Sequence, residues 1–148
     1  MLVTRPTTSL GHFAQGSQNI KGRYPFTRVR RVAAVGESFY QPALLAACGA
    51  RRGEEVGFEC IAILIAEPDN PYDSNAVRVE VEGRQVAHLS RADAVAYRAA
   101  VQEAAASGVL IACPAFIAGR GASGETPDLG IFLHLPPPEL ALTTVRRD

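Results

Sequence analysis

Polar and apolar residues alternate most cleanly over Ala76–Val81, where Val77, Val79 and Val81 take one side and Arg78 and Glu80 the other. A period of two marks a half-buried strand. Glu82-Gly83 then reads as a two-residue turn and Gln85–Leu89 as the return strand of a β-hairpin. Four other apolar runs predict strands. Val32–Gly36 is short and ended by glycine, while Val56–Ala66 is long and rich in Ile; Val109–Cys113 is broken by Pro114, and Leu129–Leu135 is stopped by Pro136-Pro137-Pro138. Two segments predict helices. Pro42–Gly49 has proline in its first turn and glycine past its last. Ser90-Arg91-Ala92-Asp93 is a capping box that opens a helix to about Ser107, with Ala94, Tyr97, Val101 and Ala104 as its buried face and Gly108 as its end. Arg51–Glu55 is a charged turn and Gly119–Asp128 a loop of Gly, Ser, Thr and Pro. This order predicts a mainly β, α+β fold with two helices, in a small antiparallel barrel or curled sheet. No glycine-rich phosphate loop follows a strand, so a nucleotide-binding α/β fold is excluded.

The ends carry less pattern. Residues 1–30 show no period of 2 or 3.6 and read as a basic arm, flexible or ordered only by contact with the body; 31–136 form the domain; 137–148 form a tail, loose or a short docking segment. The formal charge of zero conceals an asymmetry: before Glu37 there are six basic residues and no acidic one, leaving nine basic and fifteen acidic beyond it. Such an arm suits a polyanion partner, and serves equally as a solubilising leader. Cys48, Cys60 and Cys113 are far apart and flanked by apolar residues, which predicts core thiols in a reducing compartment, not a zinc ribbon or a disulfide frame. No signal-peptide core is present, and the longest apolar run, Cys60–Ala66, is too short for a bilayer; a cytoplasmic protein without a membrane partner is expected.

Catalytic chemistry finds little support. His12, His88 and His134 share no motif, and no His-Glu-x-x-His or Gly-x-Ser-x-Gly occurs. Glu67, Asp69 and Asp73 form a carboxylate group without the glycine and terminal glutamate of a calcium loop. No catalytic residue, metal site or cofactor is assigned. A binding module fits better. Phe39 and Tyr40 precede a helix, Tyr72 rides the polar loop Ala66–Val77, His88 closes a strand and Arg91 begins a helix. Rings near a few cations are what single-stranded nucleic acid requires, at roughly 1–3 kcal/mol per stacked base. Ten Phe plus Tyr and no Trp limit the grip to a few bases. Plainer uses stand beside this: Phe39 as a core plug, His88 as an outward strand residue, Asp73 and Asn75 as turn closers, Arg91 as a solvated side chain.

Gly36-Glu37-Ser38-Phe39-Tyr40-Gln41, the block Glu67-Pro68-Asp69-Asn70-Pro71-Tyr72-Asp73-Ser74-Asn75-Ala76-Val77, and Val86-Ala87-His88-Leu89-Ser90-Arg91 together resemble the HIRAN domain family, over about Val32 to Leu135. The chain has no Walker motif and so looks like the stand-alone kind, not part of a helicase-like ATPase. The resemblance implies an OB-like β-barrel with two helices that binds single-stranded DNA at a free 3′-hydroxyl end, in repair or replication. Residue by residue, it implies that Tyr72 and Tyr40 stack on terminal bases and that Phe39 is the second aromatic beside Tyr40. Asp73 accepts a hydrogen bond from the 3′-hydroxyl, and His88 and Arg91 meet the DNA backbone. The partners implied are a DNA 3′ end and a repair or replication enzyme. Ser38 departs from the family's DNA-binding version, which has arginine there, so one phosphate contact is missing. The rival readings are a protein-interaction adaptor that keeps the barrel, and a metal-dependent hydrolase or nuclease built on Asp69 and Asp73.

Overall fold

The computed structural model describes residues 1–4, 28–49, 55–120 and 128–147. In chain order these form β1 (Leu2–Thr4), β2 (Arg30–Ala33), one 3-10 turn (Glu37–Phe39), α1 (Gln41–Cys48), β3 (Glu55–Ala66), β4 (Val77–Val81), β5 (Arg84–His88), α2 (Arg91–Ala106), β6 (Leu110–Arg120), β7 (Asp128–Leu135) and α3 (Pro138–Arg147). Every strand pair is antiparallel, in the order β2-β7-β6-β3-β4-β5, with β1 also on β6. The sheet is curled and not closed by a ladder. Its two ends meet at one bridge, where the Val35 N–H donates to His88 O at 2.8 Å and the His88 N–H to Val35 O at 2.9 Å. The mainly β, α+β architecture is the expected one, left open at this seam.

The alternating pattern of β4 places Val77, Val79 and Val81 in the core, against Val86 and Ala87 of β5 and the buried face of β7, Leu129, Ile131, Leu133 and Leu135. Glu82 and Gly83 both take positive φ, 52° and 76°. That pair of left-handed residues matches the twist of a tight hairpin. Between Val79 and Glu80 the partner jumps from Ala87 to Gln85, so Val86 is an extra residue and β5 carries a bulge. Val86 and Ala87 therefore both face inward, and His88 is turned outward with Gln85.

Ser90 caps α2: its Oγ accepts from the Asp93 N–H at 3.1 Å and donates to Asp93 Oδ2 at 3.0 Å. Ala94, Tyr97, Val101 and Ala104 are buried as the helical spacing predicts, and Ala100 joins them. The Tyr97 hydroxyl donates to Pro136 O at 2.7 Å, which ties α2 to the end of β7.

Two expectations need correction, the break at Pro114 and the number of helices. β6 runs through Pro114 to Arg120 instead of breaking there. Cys113 and Pro114 lie between the segments of β6 paired with β1 and with β7, so one side of the strand is an edge at that point, and an edge tolerates a residue without an N–H. The C-terminal segment, expected as a loose tail or a short docking segment, is the helix α3, so the described residues contain three helices and not two. It packs Ala141 and Val145 against the body beside α2. Leu2–Thr4, at the opening of the expected arm, is ordered by pairing to β6, and Arg30 begins β2. Residues 5–27, and most of the turns expected at Arg51–Glu55 and Gly119–Asp128, lie outside the described residues. No described helix is long and apolar enough to cross a membrane.

Candidate functional site

Gly36, at φ 79°, turns the chain out of β2 and into the 3-10 turn, where the Phe39 N–H donates to Gly36 O and the Tyr40 N–H to Glu37 O, at 3.1 and 2.9 Å. Gln41 anchors this turn. It is 5% exposed, its Nε2 donates to Leu129 O at 2.9 Å and Glu37 O at 3.0 Å, and its Oε1 accepts from the Leu129 N–H at 2.9 Å. The carboxamide thus pairs with β7 as a strand residue would, continuing the ladder that β2 begins. Phe39 is left 84% exposed and is not a core plug. Tyr40 is half-buried, its ring centroid 6.4 Å from that of His88 with the planes tilted by 58°.

The loop between β3 and β4 is braced by its own polar side chains. Asn70 Oδ1 accepts from the Tyr72 and Asp73 N–H groups at 2.9 and 3.2 Å, and Asp73 Oδ1 accepts from the Asn75 N–H at 2.9 Å. Backbone bonds from Glu67 to Ala76, Asn70 to Glu67 and Ala76 to Asp73 complete the frame. Tyr72 projects from it, 87% exposed. Asp73 is half-buried; it closes a turn with Oδ1, while among the described residues no donor reaches Oδ2.

His88 Nε2 stands 2.6 Å from Glu67 Oε1. Gln85 Nε2 lies beside the same ring, 3.2 Å from His88 Nε2 and 3.4 Å from Nδ1. The His88–Glu67 contact has no local sequence signal, since 21 positions separate the two. It follows from register: Ile65 pairs with Arg78 and Arg78 with His88, and Glu67 lies two residues beyond Ile65 on the same face. Arg91 is exposed in the first turn of α2 and has no ion pair among the described residues. Of the early cations, Arg30 reaches Asp93 at 4.0 Å and Arg31 stacks over the Phe132 ring at 3.9 Å.

Tyr40, His88 and Glu67 are therefore in contact, and the backbone of Glu67 carries the loop that bears Tyr72 and Asp73. No hydrogen bond, ion pair or ring contact joins the side chains of Phe39, Tyr72 or Arg91 to that group among the described residues. Glu67, Asp69 and Asp73 do not converge, and the described residues hold no group of three His, Cys, Asp or Glu able to bind a metal ion. Burial pushes the Cys60 and Cys113 thiols up to about 12, which leaves them protonated and unreactive near neutrality. A cleft of about 470 Å³ lined by Met1, Val29, Phe116, His134 and Pro136 shares no residue with this group.

No protein-family model matches the chain, and no curated protein matches it. Among solved structures it is similar to the HIRAN domain of human HLTF, at 20% sequence identity and a TM-score of 0.42, over 79% of this chain and 82% of that one. At that identity and score the likeness settles nothing about function.

Proposed function

We propose that this chain is a non-catalytic nucleic-acid-binding module of the HIRAN family that holds single-stranded DNA by its 3′-hydroxyl end, working with a repair or replication enzyme. The observation that carries the reading is the pair of solvent-facing rings, Phe39 at 84% and Tyr72 at 87% exposure, each on a hydrogen-bonded turn. An aromatic ring left in water forgoes roughly 1.5–3 kcal/mol of burial, and two rings held there suit stacking on unpaired bases. In this reading Tyr72 and Tyr40 stack on the terminal bases with Phe39 beside them. His88, oriented by Glu67, and Arg91 meet the phosphate backbone. Asp73 accepts from the 3′-hydroxyl through Oδ2. A carboxylate accepts from a hydroxyl and repels a phosphate, so Asp73 distinguishes an open end from a blocked one. The Asp69–Val77 block supports the family assignment by its residues alone.

The test compares one oligonucleotide carrying a 3′-hydroxyl with its 3′-phosphate form by fluorescence anisotropy. The hydroxyl form binds more tightly to the wild type, Asp73→Ala abolishes the difference, and Tyr72→Ala weakens both, by about tenfold for the loss of one stacked base. Equal binding of the two ends by the wild type would remove the role given to Asp73. Binding of neither would remove the DNA reading and leave the exposed rings to a protein partner.

A further inference from the structure

The Tyr72 loop has a second wall. A crevice of about 140 Å³ separates it from α2, with Pro68, Ser74 and Asn75 on the loop side and Arg98, Val101 and Gln102 on the helix side. Arg91, Arg98 and Gln102 are spaced i, i+7 and i+11, so they fall on one stripe of α2, and all three are exposed. α3 lies on another flank of the helix, where Glu103 faces Arg146 at 3.9 Å. Arg98, like Arg91, has no ion pair among the described residues although the loop beside it carries Asp69 and Asp73. Two arginines without an ion pair among the described residues thus have their backbone positions about 10 Å apart along the helix axis, roughly the length of three stacked nucleotides. The loop carboxylates repel phosphate, so the helix wall is where a polyanion can run.

We infer that Arg98, with Gln102, forms a phosphate track along α2 that takes the strand 5′ of its bound end. The occupant is a single-stranded nucleic acid backbone, matched by charge, and the inference rests on the end-binding reading above. Arg98 sets how much longer strands gain over short ones and plays no part in testing the terminus.

The experiment measures binding of a 3′-hydroxyl dinucleotide and a 3′-hydroxyl decanucleotide to the full chain, between about 50 and 200 mM salt. The wild type binds the decanucleotide more tightly. Arg98→Ala lowers that affinity about fivefold, leaves the dinucleotide unchanged, and makes the dependence of log K on log salt shallower by about 0.7, the loss of one phosphate contact. Arg98→Lys keeps the slope. Arg98→Gln, of similar shape and helix propensity, repeats the loss and guards against a folding effect. A decanucleotide affinity and salt slope unchanged in Arg98→Ala overturn the track while the end-binding reading stands. An equal loss on both lengths also overturns it, because Arg98 then acts at the end. If neither oligonucleotide binds the wild type, both proposals fall.

Discussion

At the scale of the residue, the decisive side chain is one that chemistry-seeking motifs pass over. Gln41 supplies both a donor and an acceptor to Leu129, and a third bond holds the turn that carries Phe39 and Tyr40. Gln41→Leu keeps the volume and leaves the Leu129 N–H and C=O unpaired in the interior, at about 1–3 kcal/mol for each. A urea denaturation curve is expected to show at least about 2 kcal/mol lost, with an unchanged slope. A midpoint equal to the wild type's would mean that the carboxamide is dispensable. Gln41 was visible in the sequence only as the last letter of a motif. Its partner is 88 positions away, and no local pattern announces that distance. Tyr72 and Asp73 were legible for the opposite reason: a ring among turn formers is a local anomaly. Their loop is closed by bonds no more than three residues apart when counted from Asn70 and Asp73.

At the scale of the element, hydrophobic period sufficed wherever one face of a strand or helix is buried, as in β4 and α2. It failed at Pro114, where the strand runs through the expected stop, while the triple proline does end β7 at Leu135. Pro114 sits at a local edge of β6, and Pro138 occupies the first position of α3, where its missing N–H is not needed. The helix was signalled by Ala141 and Val145 at i, i+4 and by Arg146 and Arg147 in the last turn, favourable to the helix dipole. The hairpin bulge, by contrast, had no signal, and it decides where His88 points. The joint between α2 and β7 can be tested alone. Tyr97→Phe removes the buried hydroxyl, with its bond to Pro136 O and its interaction with Arg30, and about 1–3 kcal/mol is expected to be lost as that carbonyl goes unpaired. Thermal melting that matches the wild type would show that water replaces the hydroxyl.

At the scale of the whole molecule, one core governs the response to alkali. Burial raises the thiols of Cys60 and Cys113 from 9.0 to about 12, and raises Tyr97 as well. The unfolded chain therefore releases these protons first. Stability is fully present below the unfolded value and falls as pH climbs from about 9 toward 12. Cys113→Ala is expected to flatten that fall when melting temperature is followed against pH, and a fall of undiminished steepness would place the alkaline weakness elsewhere. The seam between β2 and β5 bears on the molecule in another way. The two hydrogen bonds between Val35 and His88 work as a clasp, and the Tyr40–His88 ring contact lies across the same gap. In the end-binding reading proposed above, a ligand that grips both rings bridges the clasp from outside. On that reading, occupancy and closure of the sheet become one event.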